Sequence, residues 1–311
     1  MAPARPCPRS FRGAILQDSM ASFLVPLICA LLYPIGTLMT KRALVKGVDL
    51  WSVMAVNFWV MGLVFLVVIP FEVRSIPWAL WYQPAVMGVL SFAGQSCALK
   101  AISAGDLTIA TPALGSKVLL VALLTETLLR QSVPLAWWVA ASFSFAAVFF
   151  LQAGTRASRR KTFLTLAFSL LAAACFALGD VLIQKWAPRW GAFHFLPAMA
   201  LATAACSTVL LPFMRKPLLA FDAGAWKWLF TGSLIQGVQS LLLTAVIGLL
   251  GQVTLVNIVF SSRGLWNFLL IWFAGHWFAN REREAGPRVM ASRLIGAGLM
   301  FAAIVLVSLR R

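Results

Sequence analysis

The sequence predicts an all-α polytopic membrane protein, with ten transmembrane helices arranged as two inverted five-helix repeats. Three observations carry this expectation. The 311-residue chain is 61% hydrophobic and only 11% charged, with a mean hydropathy of +0.89, whereas a soluble domain must cover its core with polar surface. Ten apolar stretches follow one another, each near the length of about 20 residues that a spanning helix needs. The first five of these match the second five in order.

The stretches lie at 22–40, 51–71, 81–103, 107–129, 134–154, 163–186, 193–213, 226–249, 252–278 and 290–309. The first repeat therefore covers 22–154, a basic loop at 155–162 follows, and the second repeat covers 163–309. Residues 1–21 are rich in Pro and Arg and read as a disordered tail. A basic stretch before an apolar run resembles a signal peptide, but this run ends in Lys41-Arg42 without a small-x-small cleavage site. It is read as an uncleaved first helix, with Met20 as a second candidate start.

Trp51, Trp78, Trp81, Trp137, Trp186, Trp190, Trp226 and Trp228 mark stretch ends, as expected of an interfacial belt. Short loops make neighbouring helices antiparallel hairpins. The net charge of +17 comes from 26 Lys and Arg spread mostly between apolar runs. They read as headgroup anchors, not as a nucleic-acid footprint. With the N-terminus cytoplasmic, about nine basic residues fall inside and about fourteen outside, so the charge count prefers both termini outside. Of the five cysteines, Cys29, Cys97, Cys175 and Cys206 lie inside apolar runs and Cys7 lies in the tail; none is spaced for a metal or disulfide framework.

The internal match runs through both halves at offsets of about 142–156 residues. Ala-Leu-Leu-Tyr-Pro-Ile-Gly36 parallels Ala-Ala-Cys-Phe-Ala-Leu-Gly179. Pro70-Phe71 with Arg74 parallels Pro212-Phe213 with Lys216, and Gly88 with Gln95-Ser96 parallels Gly232 with Gln239-Ser240. Phe145-Ala-Ala-Val parallels Phe301-Ala-Ala-Ile, and the segment from Asp106 to Lys117 parallels that from Gln252 to Arg263. Five helices per copy is an odd number, so the second copy enters the membrane from the opposite side. Inverted repeats are typical of secondary transporters, which bind substrate near the midplane between the repeats.

Lys117 and Arg263 are the leading site candidates. A basic residue at the midplane costs roughly 2.5–3.5 kcal/mol on insertion scales, and this chain carries one at matching positions of the fourth and ninth helices. Helical spacing puts Arg263 on one face with Trp266, Asn267 and Gln252, with Asn257, Ser261 and Ser262 adding polar groups nearby. On the fourth helix Asp106 is too distant and Glu126 lies on the opposite face, which leaves Asp180 as the cross-helix partner for Lys117 or Arg263, or as a proton-coupling carboxylate. A carboxylate or phosphate would be held by Lys117 and Arg263, with Trp266 stacking on a ring or capping the pocket. The structural alternative pairs Arg263 with Asp180 and lets Lys117 snorkel. Gln95 and Gln239 occupy equivalent places and are expected to line a cavity, as, more weakly, are Asn57 and Tyr33. Gly36 and Gly179 fit close helix contacts, and Pro34 and Pro112 fit local helix breaks.

Five plus five helices, Glu126 near the end of the fourth and Gly-rich first helices in each half resemble the drug/metabolite transporter superfamily, EamA-like branch, over about residues 21–309. Trp272 stands where Glu126 would align, so no role carries to that position. The resemblance implies transport of small metabolites, often efflux, and both termini inside. The expectation is a multi-pass transporter of the cell membrane that moves a small organic anion or zwitterion by alternating access, with a coupling proton or counter-substrate and no cofactor.

Competing classes fare worse. No phosphate-binding Gly-x-x-x-x-Gly-Lys-Ser/Thr loop is present. Leu178-Gly179-Asp180 only faintly resembles an intramembrane aspartyl protease motif, and no serine elbow or metal set accompanies it, so no enzyme is expected. An exporter of cationic or amphipathic drugs would want an uncompensated acid, which the basic excess disfavours. A non-transporting membrane protein would not need paired midplane charges.

Overall fold

The computed structural model describes residues 8–104, 113–151, 159–214, 221–274 and 287–309. Among these the chain is helical, with no strand. Helices α1 (Pro8–Val45), α2 (Leu50–Leu66), α3 (Tyr82–Ala104), α4 (Lys117–Leu128) and α5 (Leu135–Leu151) form the first half. Helices α6 (Arg159–Trp190), α7 (Ala192–Ser207), α8 (Ala223–Leu250), α9 (Val253–Phe260), α10 (Arg263–Ala274) and α11 (Pro287–Leu309) form the second. Among the described residues five segments are long and apolar enough to cross a membrane: Met20–Val45, Leu50–Phe71, Phe163–Trp190, Ala192–Phe213 and Ala223–Leu250. Leu135–Val148 and Leu294–Val307 are shorter apolar helices. Cys7, Asp106, Pro112, most of the loop 155–162 and the side chain of Asn267 lie outside the described residues.

Local chemistry sets several boundaries. Asp49 starts α2 by accepting from the N–H groups of Trp51 (3.1 Å) and Ser52 (3.0 Å), as N-cap acids do. Asp222 does the same for α8 through Gly224. Gly251, at φ 65°, turns the chain out of α8 and straight into α9.

Three expectations change. The segment 1–21 read as a tail is helical from Pro8, as the N-terminal part of α1. That helix also runs unbroken through Pro34 where it packs along α8, a proline tolerance common in packed membrane helices. Trp190 is not in an interfacial belt: it is 3% exposed, and its indole N–H donates to Gln83 Oε1 at 3.1 Å. Trp78 and Trp81 are exposed as expected.

Helix packing is closest where glycine allows it. A Cβ on Gly36 would meet Gln236 Cγ at 2.7 Å, and one on Gly232 would meet the Gly36 carbonyl oxygen at 3.0 Å, so α1 and α8 cross backbone to backbone. A Cβ on Gly88 would sit 2.6–2.9 Å from Ala202 and the Thr203 nitrogen, which fixes α3 against α7. Small residues at such crossings are how helices associate in lipid. The pairing of elements is balanced between the halves: α1 with α8 and α3 with α6, α2 with α8 and α3 with α7, α4 with α6 and α1 with α9. Helices α5 and α11 pack on each other, tied by the Ser292 hydroxyl donating to the Phe150 carbonyl at 2.7 Å.

Gly88→Val drives a branched side chain into the α7 backbone and should cost about 1–3 kcal/mol of overpacking, read as a lowered thermal midpoint in detergent. Gly298→Val is the control, since nothing lies within 4 Å of a Cβ there, and its midpoint should stay at the wild-type value.

Candidate functional site

A cavity of about 350 Å³ lies among α1, α2, α3, α6, α7 and α8 and the paired ends of the broken fourth and ninth helices. Among the described residues α5 and α11 contribute nothing to its wall. Lys117, Arg263, Asp180, Gln95, Gln239, Tyr33 and Asn57 all line it. Sequence patterning placed these on separate helices, and the fold brings them together.

The two basic residues share one local setting. The ninth stretch, expected as one helix, breaks at Ser261-Ser262, so Arg263 is the first residue of α10. Ser116 forms the turn just before Lys117, the first residue of α4. At each break a serine hydroxyl bonds back to the carbonyl three residues earlier: Ser116 to Ala113 at 2.7 Å and Ser261 to Ile258 at 2.6 Å. Such bonding competes with the helix ladder and helps to interrupt it. Each cation thus sits at the positive end of a helix dipole, where an anion is favoured and a cation opposed.

The two differ in how that field is answered. Lys117 Nζ lies 2.7 Å from Asp180 Oδ2, with the two side chains 14% and 15% exposed. The Asn257 amide also donates to Asp180 Oδ2, at 2.8 Å, and to the Val253 carbonyl at 3.0 Å. Asp180 therefore joins α6 to both α4 and α9. Arg263 has no carboxylate partner among the described residues. Its guanidinium lies 4.7 Å from the ring centroids of both Tyr33 and Phe260, which meet edge to face at 6.0 Å. These cation–π contacts steady the group without neutralising it.

Several polar groups of the wall have no protein partner among the described residues. They include the Tyr33 hydroxyl and the Gln95 side chain. The Gln239 side-chain amide is also unpartnered although the residue is only 5% exposed. The amide of Asn57 donates to Gln236 Oε1 at 3.1 Å, while its own oxygen is buried and unbonded. A buried polar group left without a partner costs free energy unless a ligand or water satisfies it.

The other candidates stand behind the wall. Asn257 is buried and acts through Asp180. Ser262 is fully buried at the helix break with its hydroxyl unbonded, and the Trp266 indole N–H is likewise buried and unbonded within the main core. The expected shared face of Arg263 and Gln252 does not exist, because the break at Ser261-Ser262 interrupts the helical spacing: Gln252 lines a second cavity. Glu126 is also remote from the centre, accepting from Val133 N–H (3.2 Å) and Trp138 Nε1 (3.1 Å) to brace the α4–α5 turn.

That second cavity, about 510 Å³, lies at the α4–α5 and α8–α9 turns and is lined by Arg130, Gln131, Gln184 and Thr254, among others. A polar seam divides it from the first. Gln184, one helical turn beyond Asp180, accepts the Val253 N–H at 2.9 Å and donates to Gln131 Oε1 at 2.8 Å. Thr125 and Thr254 hydroxyls bond at 3.0 Å across α4 and α9. Sequence reasoning missed Gln184 and Gln236, although spacing held the signal: each lies three or four residues from a singled-out residue, Asp180 and Gln239 respectively.

Residues 20–152 match the model of the EamA-like transporter family. A solved crystal structure superposes with a TM-score of 0.76 at 18% identity, covering 93% of this chain and 99% of that one, which is a likeness of fold. No curated protein matches the chain. The first half is thus similar to EamA-like transporters, and the chain is a multi-pass membrane protein.

Lys117→Met would leave the Asp180 carboxylate without its counter-ion in the protein interior, at a cost of about 3 kcal/mol. The double variant Lys117→Met/Asp180→Leu should recover most of that loss. Thermal midpoints of the two single variants and the double give the coupling, and additive losses would show that the pair does not hold the helices.

Proposed function

We propose that this protein, whose first half resembles EamA-like transporters, is a secondary transporter that moves a small organic anion or zwitterionic metabolite across the cell membrane by alternating access. The observation that carries the reading is the Arg263 guanidinium, a cation at the positive end of α10 that lines a cavity and meets no carboxylate among the described residues. An anionic group of a ligand would supply the missing charge, and the guanidinium fork suits a carboxylate with two parallel hydrogen bonds. Gln95, Gln239 and Tyr33 add unpaired polar groups to the same wall.

The inverted arrangement of two repeats is part of the proposal. It is supported by the matched motifs and by the balanced helix pairings, in which α1·α8 has its counterpart in α3·α6. Broken helices facing each other near the centre are the device such transporters use to present helix ends to substrate. The seam of Asp180, Gln184, Thr125 and Thr254 is then the closed gate between the two cavities. Asp180, which joins Lys117 and Asn257, is the group through which a coupling proton would act. The family match supports transport rather than catalysis.

In a thermal-shift panel of metabolites, anionic or zwitterionic compounds should stabilise the purified protein, by about 2.7 kcal/mol at a hundredfold excess over Kd. Arg263→Ala should keep the unliganded midpoint and lose that response; retention of full binding and proteoliposome flux would remove Arg263 from the site.

The gate has its own test. In a background without the native cysteines, a disulfide between Thr125→Cys and Thr254→Cys should stop flux, and reduction should restore it. Undiminished flux through the cross-linked protein would mean that α4 and α9 do not part during transport.

A further inference from the structure

The charges of the central cavity specify more than a preference for anions. Its charged lining residues are Lys117, Asp180 and Arg263. Lys117 is spent on Asp180, so among the described residues the cavity presents one uncompensated positive charge. Asp180 in turn has one oxygen engaged by both Lys117 Nζ and the Asn257 amide. No other carboxylate among the described residues lines the wall, so a substrate ammonium would meet only the second oxygen of Asp180, whose charge Lys117 already balances.

The rest of the wall is apolar and adaptable. Met54, Met61, Met87 and Met199 line it together with Phe58 and Phe176. Thioethers repack around varied apolar shapes and make favourable contacts with rings. Beside Arg263, the Tyr33 hydroxyl is an unpartnered donor on the ring that supports the guanidinium.

We infer that the substrate is an amphipathic monocarboxylate, its carboxylate held by Arg263 and Tyr33 and its apolar body lodged among the methionines and phenylalanines. This rests on the transport reading of the same cavity and narrows it: a phosphate dianion brings one charge too many, and a zwitterion brings an ammonium to a wall whose one carboxylate is already neutralised by Lys117. The sequence match explains why the charge is left over. Gly36-Thr37 lies against Gly179-Asp180 in the two halves, so threonine stands where Arg263 would find the counterpart of Asp180. Thr37 instead turns its hydroxyl to the Tyr33 carbonyl at 2.8 Å.

Four probes of one shape decide the matter: 3-phenylpropanoate, phenylalanine, phenyl phosphate above its second ionisation, and 2-phenylethylamine. Each is measured by thermal shift on purified full-length protein and by counterflow in proteoliposomes. The expected order places 3-phenylpropanoate first by about tenfold or more, the scale of one poorly screened charge. Tyr33→Phe should weaken 3-phenylpropanoate by about tenfold, the value of one charge-assisted hydrogen bond, and leave the folded midpoint unchanged. Thr37→Asp should pair with Arg263, abolish the response to 3-phenylpropanoate and raise the unliganded midpoint. A wild-type preference for phenylalanine, phenyl phosphate or 2-phenylethylamine overturns the monocarboxylate inference and leaves transport standing. Uptake of none of the four overturns both. If a variant fails to fold, the wild-type order alone decides.

Discussion

The contact on which the rest depends is the carboxylate of Asp180. Taking a carboxylate and an ammonium out of water costs several kcal/mol each, and the attraction between them repays that only when geometry is close and further hydrogen bonds support the pair. Here one oxygen takes both the Lys117 ammonium at 2.7 Å and the Asn257 amide at 2.8 Å. The consequence is positional: moving α6 relative to α4 or α9 separates the ion pair or the Asn257 bond. One turn later Gln184 repeats the arrangement with neutral groups, reaching the start of α9 and the α4–α5 turn. Two residues on one face of α6 therefore hold the seam between the cavities, and they hold it with bonds that can be exchanged for others, unlike a packed apolar core.

Glycine contacts provide the second constraint. The Gly36/Gly232 and Gly88/Ala202 crossings bring backbones together more closely than any larger residue would allow. These crossings lie beside the cavity and fix the helices that carry Gln95 and Gln239. Tight contact at the crossing and open space beside it are complementary. The same glycines that remove side-chain volume at the contact let the neighbouring turns present long polar side chains inward. A substitution at Gly88 thus acts on the site through the α3–α7 distance.

The class of fold was legible from hydropathy, and most of the cavity wall from polar residues at odds with their apolar surroundings. Gln95, Gln239, Tyr33, Asn57, Lys117, Asp180 and Arg263 each stood out for that reason, and all line one cavity. What stayed hidden follows from the same logic. The methionines Met54, Met61, Met87 and Met199 look like any other apolar residues of a membrane helix, and only the fold shows that they face inward. The break at Ser261-Ser262 was hidden because the apolar run continues on both sides of it, so the expected face joining Gln252 to Arg263 was drawn through a helix that is not continuous. Trp190 was misplaced because tryptophan near a helix end is usually interfacial, and its buried bond to Gln83 depends on a residue more than a hundred positions away.

The matched cations are equivalent in sequence and unequal in chemistry. Both begin a helix after a serine turn, so both face the same unfavourable dipole field. In the first half the field and the charge are answered from within the protein, by Asp180. In the second half they are not, and the residue matched to Asp180 is Thr37. If both cations were paired, the cavity would be neutral and its broken helices would serve only packing. If both were free, two like charges would face one small cavity and repel each other at several kcal/mol in a poorly screened interior. Pairing one and freeing the other gives a stable scaffold and a single attractive centre. On the proposed duplication, structure and recognition would be divided in this way by one acidic residue, placed in one copy and absent from the other.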